Sequence, residues 1–338
     1  MARFRLSALS LSRNSAALGG LALLAAASAC DGRLVNLGAS QPITAAGAAG
    51  AASSDPAANG GAAHGPHFVL QPTSAFVPQV SGMLDANATL TENVDELYFT
   101  RQPRSGSDLE SHIQRMRLLG SSWSEPAPIA FVASAAADPS SPAISPDGQE
   151  LWFGSSSPGG LGGTDIWHSV RQGEAWAAPE NVGAPLCSAS DDIPRPPALG
   201  GTLMPFSSKR HGAGAPARYQ IYFAFRDAQA RAWQEVTQRH LDTINAEAFE
   251  SVDGFLTEDA LSLYFSSTRN GDADLFVATR ASIDDDFDEP TPIDSLNEQS
   301  SLAVIEQRDP WLSPDGQRLY FTSNRSGQYA VYQAELAP

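Results

Sequence analysis

The chain has 338 residues, 42% of them hydrophobic, which suits one large domain or two small ones with a real core. Its formal net charge of -17 argues against unspecific nucleic-acid binding, which needs a basic surface to meet the phosphates, and no local basic patch stands out.

The N-terminus reads as a targeting segment. Arg3, Arg5 and Arg13 form a positive region, and residues 18–29, LGGLALLAAASA, form an apolar run too short for a good membrane span. Residues 1–29 are therefore expected to be a signal peptide. Cleavage after Ala29 would leave Cys30 first, and the stretch AASAC resembles the lipobox of bacterial lipoproteins, with Ala27 where leucine is usual. Lipidation of Cys30 is expected, since several acyl chains anchor stably. Plain secretion with an incidental Cys30 is the alternative. Asp31 follows directly, but sorting rules differ among bacteria, so the expected address is the cell envelope, periplasmic or outer-membrane associated. Residues 30–66 then form an expected flexible tether rich in Ala, Gly, Ser, Asn and Pro, and residues 67–338 the folded head. With Cys30 lipidated only Cys187 remains, so a disulfide framework is excluded and a buried thiol is the plain expectation.

Beyond the tether one short sentence recurs. Aligned on a phenylalanine, the copies are ELYFTRQ (Phe99), ELWFGSS (Phe153), LMPFSSKR (Phe206), SLYFSSTRNG (Phe265) and RLYFTSNRSG (Phe321), spaced 54, 53, 59 and 56 residues apart. Such a period, built of short strands, points to propeller blades. Each unit opens with an apolar stretch and a tight turn. The turn is SPDG in the second and fifth units (Pro146, Asp147, Gly148 and Pro314, Asp315, Gly316), TENV in the first and TEDA in the fourth. Proline presets φ for one turn position, and Asp and Gly suit the next. The LYF strand follows, then a loop, then a third strand such as DIWHSV or DLFVAT. An aromatic-plus-proline element, such as WSEPAPI or FDEPTPI, closes the unit. Trp233 holds that aromatic place in the third unit without the proline.

Four strands per unit make one antiparallel sheet per blade, which buries both faces only when stacked against its neighbours. The repeating aromatics then read as inter-blade core rather than a ligand cage. The fifth unit stops at Leu336 after three strands. FVPQV (76–80) resembles the missing fourth-strand element, so an N-terminal strand is expected to complete the last blade and remove two open edges. The expectation is an all-β, five-bladed propeller, with six blades as the alternative. A short helical turn within 228–249 is a weaker possibility.

The units SPAISPDGQELWF and DPWLSPDGQRLYFTSNRSGQYAVY resemble the WD40-like, or PD40, repeats of the TolB-type β-propeller family. Ser313, Pro314, Asp315, Gly316, Tyr320, Phe321, Ser323, Arg325 and Gly327 match its pattern. Ser145, Pro146, Asp147, Gly148, Trp152, Phe153, Asp165, Ile166 and Trp167 match in the second unit, and Tyr264, Phe265, Arg269, Gly271, Asp274, Leu275 and Phe276 in the fourth. The resemblance is weak in unit one, where RSGSD (104–108) replaces the usual loop, and in unit three, which lacks SPDG. TolB proteins carry an α/β domain before the propeller that this chain has no room for, which argues against TolB's own role.

The residue twelve places before each aligned phenylalanine is Asn87, Ser141, Pro194, Asp253 or Asp309, expected just before the first strand and near the central channel. Asp191 and Asp192 lie close by. Three readings stay open. Carboxylates in such a channel serve as acid and base in propeller glycoside hydrolases, with Asp192, Asp253 and Asp309 as the catalytic candidates. Asp253 and Asp309 would equally suit Ca²⁺, the one cofactor considered. Structurally, the aspartates would cap a turn or pair with a loop arginine such as Arg325 or Arg269. No ligand spacing, nucleophile–base pair or phosphate loop is present, and Asp284, Asp285, Asp286 and Asp288 read as a solvated hairpin. The expected function is a non-enzymatic binding or assembly scaffold. Its partner would be an envelope protein, peptide or glycan, met at a propeller rim or the channel mouth by a monomeric head that touches the membrane only through its lipid. A glycoside hydrolase is the alternative.

Overall fold

The computed structural model describes residues 65–71, 74–104, 111–132, 137–210, 218–227, 232–297 and 304–338. The signal peptide, Cys30, the tether up to residue 64, and most of RSGSD lie outside the described residues.

Five antiparallel sheets follow one another, as the repeats require. The innermost strands are Met83–Leu90, Ser140–Ile144, Asp192–Pro194, Ser251–Leu256 and Gln307–Leu312. Each pairs outward with its LYF-type strand: Glu96–Pro103, Glu150–Ser155, Leu203–Ser208, Ser262–Ser267 or Arg318–Ser323. The five aligned phenylalanines, Phe99, Phe153, Phe206, Phe265 and Phe321, are all fully buried between blades, so their recurrence is explained by packing. Residues 239–249 make turns, and no helix forms there.

The last blade holds Gln307–Leu312, Arg318–Ser323 and Ala330–Leu336, and its fourth strand comes from the other end of the chain. That strand is Phe68–Leu70, with Phe68 opposite Leu336 and Leu70 opposite Ala334. The expected closing strand FVPQV is thus displaced eight residues upstream. Pro78 has no N–H to give a ladder, so 76–80 cannot serve as a strand of that sheet. Instead Phe76 donates one backbone bond to Val331 O (2.7 Å) and packs its ring edge-on against Trp123 and Tyr320. Val77 is fully buried beside it.

The third unit of the sequence pattern also explains an arginine. Arg210, Arg269 and Arg325 stand four residues after their phenylalanines. Each guanidinium lies over two rings: Phe206 and Tyr222, Phe265 and Phe276, Phe321 and Tyr332. Arg269 and Arg325 then donate to carbonyls of the incoming connection, Ile244 O at 3.0 Å and Leu296 O at 2.9 Å. The expected pairing of these two arginines with a channel aspartate is therefore replaced by a clip that holds each connection onto its blade.

Candidate functional site: the channel and its mouth

The twelve-back residues sit inside the innermost strands, not before them. In four blades the register slips at this point, between Ala86 and Thr89, Ser140 and Ala143, Val252 and Phe255, and Arg308 and Trp311. The bulge demands a left-handed residue. Asn87 (φ 55), Ser141 (φ 49), Asp253 (φ 60) and Asp309 (φ 55) supply it. Asn and Asp tolerate that region better than most side chains, which accounts for their recurrence without any ligand.

Three of the four bulges are tied to the preceding blade by a hydroxyl just after the aligned phenylalanine. Ser141 N donates to Thr100 Oγ1 (2.8 Å), Asp253 N to Ser207 Oγ (3.0 Å) and Asn87 N to Thr322 Oγ1 (3.3 Å). At the seam between blades two and three both partners are missing together. Pro194 has no N–H, and Gly154 has no hydroxyl. Losing donor and acceptor as a pair leaves nothing buried and unsatisfied there.

Asp253 and Asp309 are brought together. Burial, and then the charge of Asp309, push the Asp253 carboxyl well above the usual carboxylate range, with Arg195 and Arg308 opposing. Asp309 accepts from Asn87 N (3.1 Å) and Nδ2 (2.7 Å). Arg195 reaches across the channel from blade three to Pro310 O (2.6 Å) in blade five, with its Nη1 3.9 Å from Asp309. These buried side chains bar the channel. Asp309 is thereby committed to Asn87, whereas a glycosidase pair stands ~5–9.5 Å apart with both carboxyls turned to a sugar.

Asp192 lies elsewhere. Its carboxylate is held by Arg210 Nη2 (2.6 Å) and Ser188 N (2.6 Å), and burial raises its pKa against these partners. Asp191 pairs with Lys209 (2.9 Å). Cys187 is buried, and burial together with the charges of Asp165 and Asp192 pushes its thiol up to about 12. Among the described residues no group of three or more His, Cys, Asp or Glu side chains converges as a metal site. Nor is any helix there long and apolar enough to cross a membrane.

Three residues beyond each twelve-back position the five blades present Leu90, Ile144, Pro197, Leu256 and Leu312. All five line one open cavity of about 860 Å³ at the channel mouth. Phe255 and Trp311 extend this apolar wall, their ring centroids 5.8 Å apart. The turns of the sequence repeat form its collar. Ser145 Oγ donates to Asp147 Oδ1 (2.6 Å) and accepts from Glu150 N (2.8 Å). Ser313 and Asp315, and Thr257 and Asp259, repeat the device. In the first unit Thr91 bonds Asp95 instead (2.6 Å). The position that SPDG fills with glycine has φ 71 at Gly148 and φ 70 at Gly316, and the same left-handed turn is made by Val94 (φ 56) and Ala260 (φ 58). Blade three uses Pro196, Pro197, Gly200 and Gly201.

The collar is acidic: Glu92, Asp147, Glu150, Glu258, Asp259 and Asp315 line it, with Arg226 as the basic residue. Arg226 is already engaged by Glu150 Oε2 (2.9 Å) and stacks between Trp152 and Trp233. Burial alone would raise the Glu150 pKa, but His168 and Arg226 outweigh it and hold the group down at about 2. Bonds from Ser313 and the Gln317 amide hold Asp315 below its ordinary value. The sequence placed the expected binding surface at a rim or the channel mouth and the candidate carboxylates in the channel, and its turns read as structural. The signal for the mouth was present: acidic residues recur in four of the five turn segments.

No family model matches the chain, and no curated protein matches it. Solved structures share its fold. A glycoside hydrolase overlays with a TM-score of 0.54 at 10% identity, covering 81% of this chain and 91% of that one. TolB from Acinetobacter baumannii gives 0.43 at 15% identity, over 75% and 54% of the two chains. A putative TolB from Agrobacterium tumefaciens gives 0.42 at 14%, over 71% and 70%. This chain spans about half the length of the A. baumannii protein. At such identities the likeness concerns the propeller fold, which hosts scaffolds and hydrolases alike.

Proposed function

We propose that the protein is a non-catalytic binding or assembly scaffold of the bacterial cell envelope. A lipid on Cys30 tethers it, and the channel mouth receives a segment of a protein, peptide or glycan. The observation that supports this is the convergence of turns from all five blades on one cavity of about 860 Å³. Its size falls in the range of sites that enclose small ligands, ~300–1,000 Å³. Below it, Asp309 is engaged by Asn87, and Arg195 reaches across to Pro310 O with its Nη1 3.9 Å from Asp309. The hydrolase reading draws on likeness of fold, and the candidate Asp192 does not join the other two carboxyls.

The test is site-specific photo-crosslinking of the full chain in a bacterial envelope. A crosslinking side chain replaces Glu258 at the mouth or Ser326 on a loop of the last blade away from the cavity. Discrete adducts from position 258 and none from 326 are expected, with Cys30→Ala releasing the protein from the membrane fraction. Equal labelling from both positions, or sugar release from a glycan panel that Asp253→Asn abolishes, would overturn the reading.

A further inference from the structure

The chemistry of the mouth narrows its occupant. The floor is an aliphatic and proline ring with an aromatic flank, and it offers few polar groups to an uncharged sugar. Directly above it stand Glu92, Asp147, Glu258, Asp259 and Asp315. Three of these carboxylates spend Oδ1 on their own turn, through Ser145, Thr257 and Ser313. Glu258 accepts from Gly200 N (2.5 Å), a neutral donor that leaves its charge uncompensated. Arg226 belongs to Glu150, and Arg318 stands 3.8 Å from Asp315 outside the cavity wall. The collar therefore carries excess negative charge over an apolar floor, and a chain of net charge -17 adds to the same field.

From this charge complementarity we infer that the mouth binds a basic, apolar peptide segment. An aliphatic side chain enters the ring of Leu90, Ile144, Pro197, Leu256 and Leu312, while neighbouring Lys or Arg side chains meet the collar. A bare cation has no use for the apolar floor. An acidic or nucleic-acid ligand meets like charge, which opposes encounter. This inference rests on the mouth being the binding site, and adds the class of ligand.

The experiment is fluorescence anisotropy on the full chain with three labelled synthetic peptides of equal length: alternating Leu/Lys, alternating Leu/Glu and alternating Ser/Lys. The Leu/Lys peptide is expected to bind at least about tenfold tighter than either other, and to weaken as salt rises. The double variant Glu92→Arg/Glu258→Arg, checked for an unchanged melting curve, is expected to reverse the order of Leu/Lys and Leu/Glu. Should that variant fail to fold, Glu92→Gln/Glu258→Gln serves, with an expected loss of about tenfold for Leu/Lys alone. Equal binding of Leu/Lys and Leu/Glu, or of Leu/Lys and Ser/Lys, overturns the inference. So does Leu/Lys binding that ignores both variants. If no peptide binds while position 258 still crosslinks a partner in the envelope, the ligand class is wrong and the mouth as binding site stands. If position 258 crosslinks nothing, the site itself falls.

Discussion

Glu150→Gln tests the electrostatics of the mouth quantitatively. Glu150 joins two blades: its own blade through His168 Nε2 (3.3 Å) and the next through Arg226 Nη2 (2.9 Å). Its pKa falls from 4.5 to about 2. Because the folded value is depressed, the stabilisation is present above the unfolded value and is lost as pH falls toward about 2. At about 1.4 kcal/mol per pKa unit, the full contribution at neutral pH is about 3 kcal/mol. Glutamine still accepts one hydrogen bond from Arg226, so this is an upper value. The assay is urea unfolding of wild type and variant between about pH 2 and pH 7. The variant is expected to lose up to about 3 kcal/mol at neutral pH, with the gap closing toward pH 2. A gap that stays constant with pH, or is absent at pH 7, would refute the claim that Glu150 is a paired anion.

Three other outcomes follow from the fold. Asp253→Asn is expected to leave stability near pH 4 little changed and to raise it relative to wild type as pH climbs. A raised folded pKa contributes below the unfolded value, and its benefit drains at about 1.4 kcal/mol per unit above it; urea unfolding across pH measures this, and Asn already fills the matching bulge at position 87. Arg325→Met should destabilise by about 2 kcal/mol in urea titrations, since the Leu296 carbonyl loses its donor and two rings lose a cation. Removing residues before Met83 takes Phe68–Leu70 off the last blade and bares the edge of Ala330–Leu336; light scattering should show a larger apparent mass per chain than for the full chain.

The blade count, the strand order and the buried phenylalanines were legible because packing between blades repeats, and repetition shows in sequence. Closure by an N-terminal strand was legible as a need but not in position. Phe68–Leu70 is three residues long and carries no turn signal, whereas FVPQV carried the aromatic and proline that misled. Of the twelve-back positions, Asn87, Asp253 and Asp309 come together, and the reason for their recurrence lies in backbone geometry. A left-handed bulge selects Asn and Asp, and sequence cannot tell that demand from a demand for carboxylate chemistry. The bar across the channel was not legible at all. Arg195 belongs to the unit that lost SPDG, and it meets Asp309 only because blades three and five face each other across the axis. The mouth was written in the turns, whose Asp residues both shape the loop and leave a charged oxygen at the collar.

The most direct measurement of the central claim is crosslinking from position 258 in two further backgrounds, one altered in the channel (Asp253→Asn) and one at the collar (Glu92→Arg). If the mouth binds and the channel carboxyls only hold the fold, the channel variant keeps the adducts of the parent and the collar variant loses most of them. Loss in the channel variant with retention in the collar variant would place function at Asp253 and contradict the account.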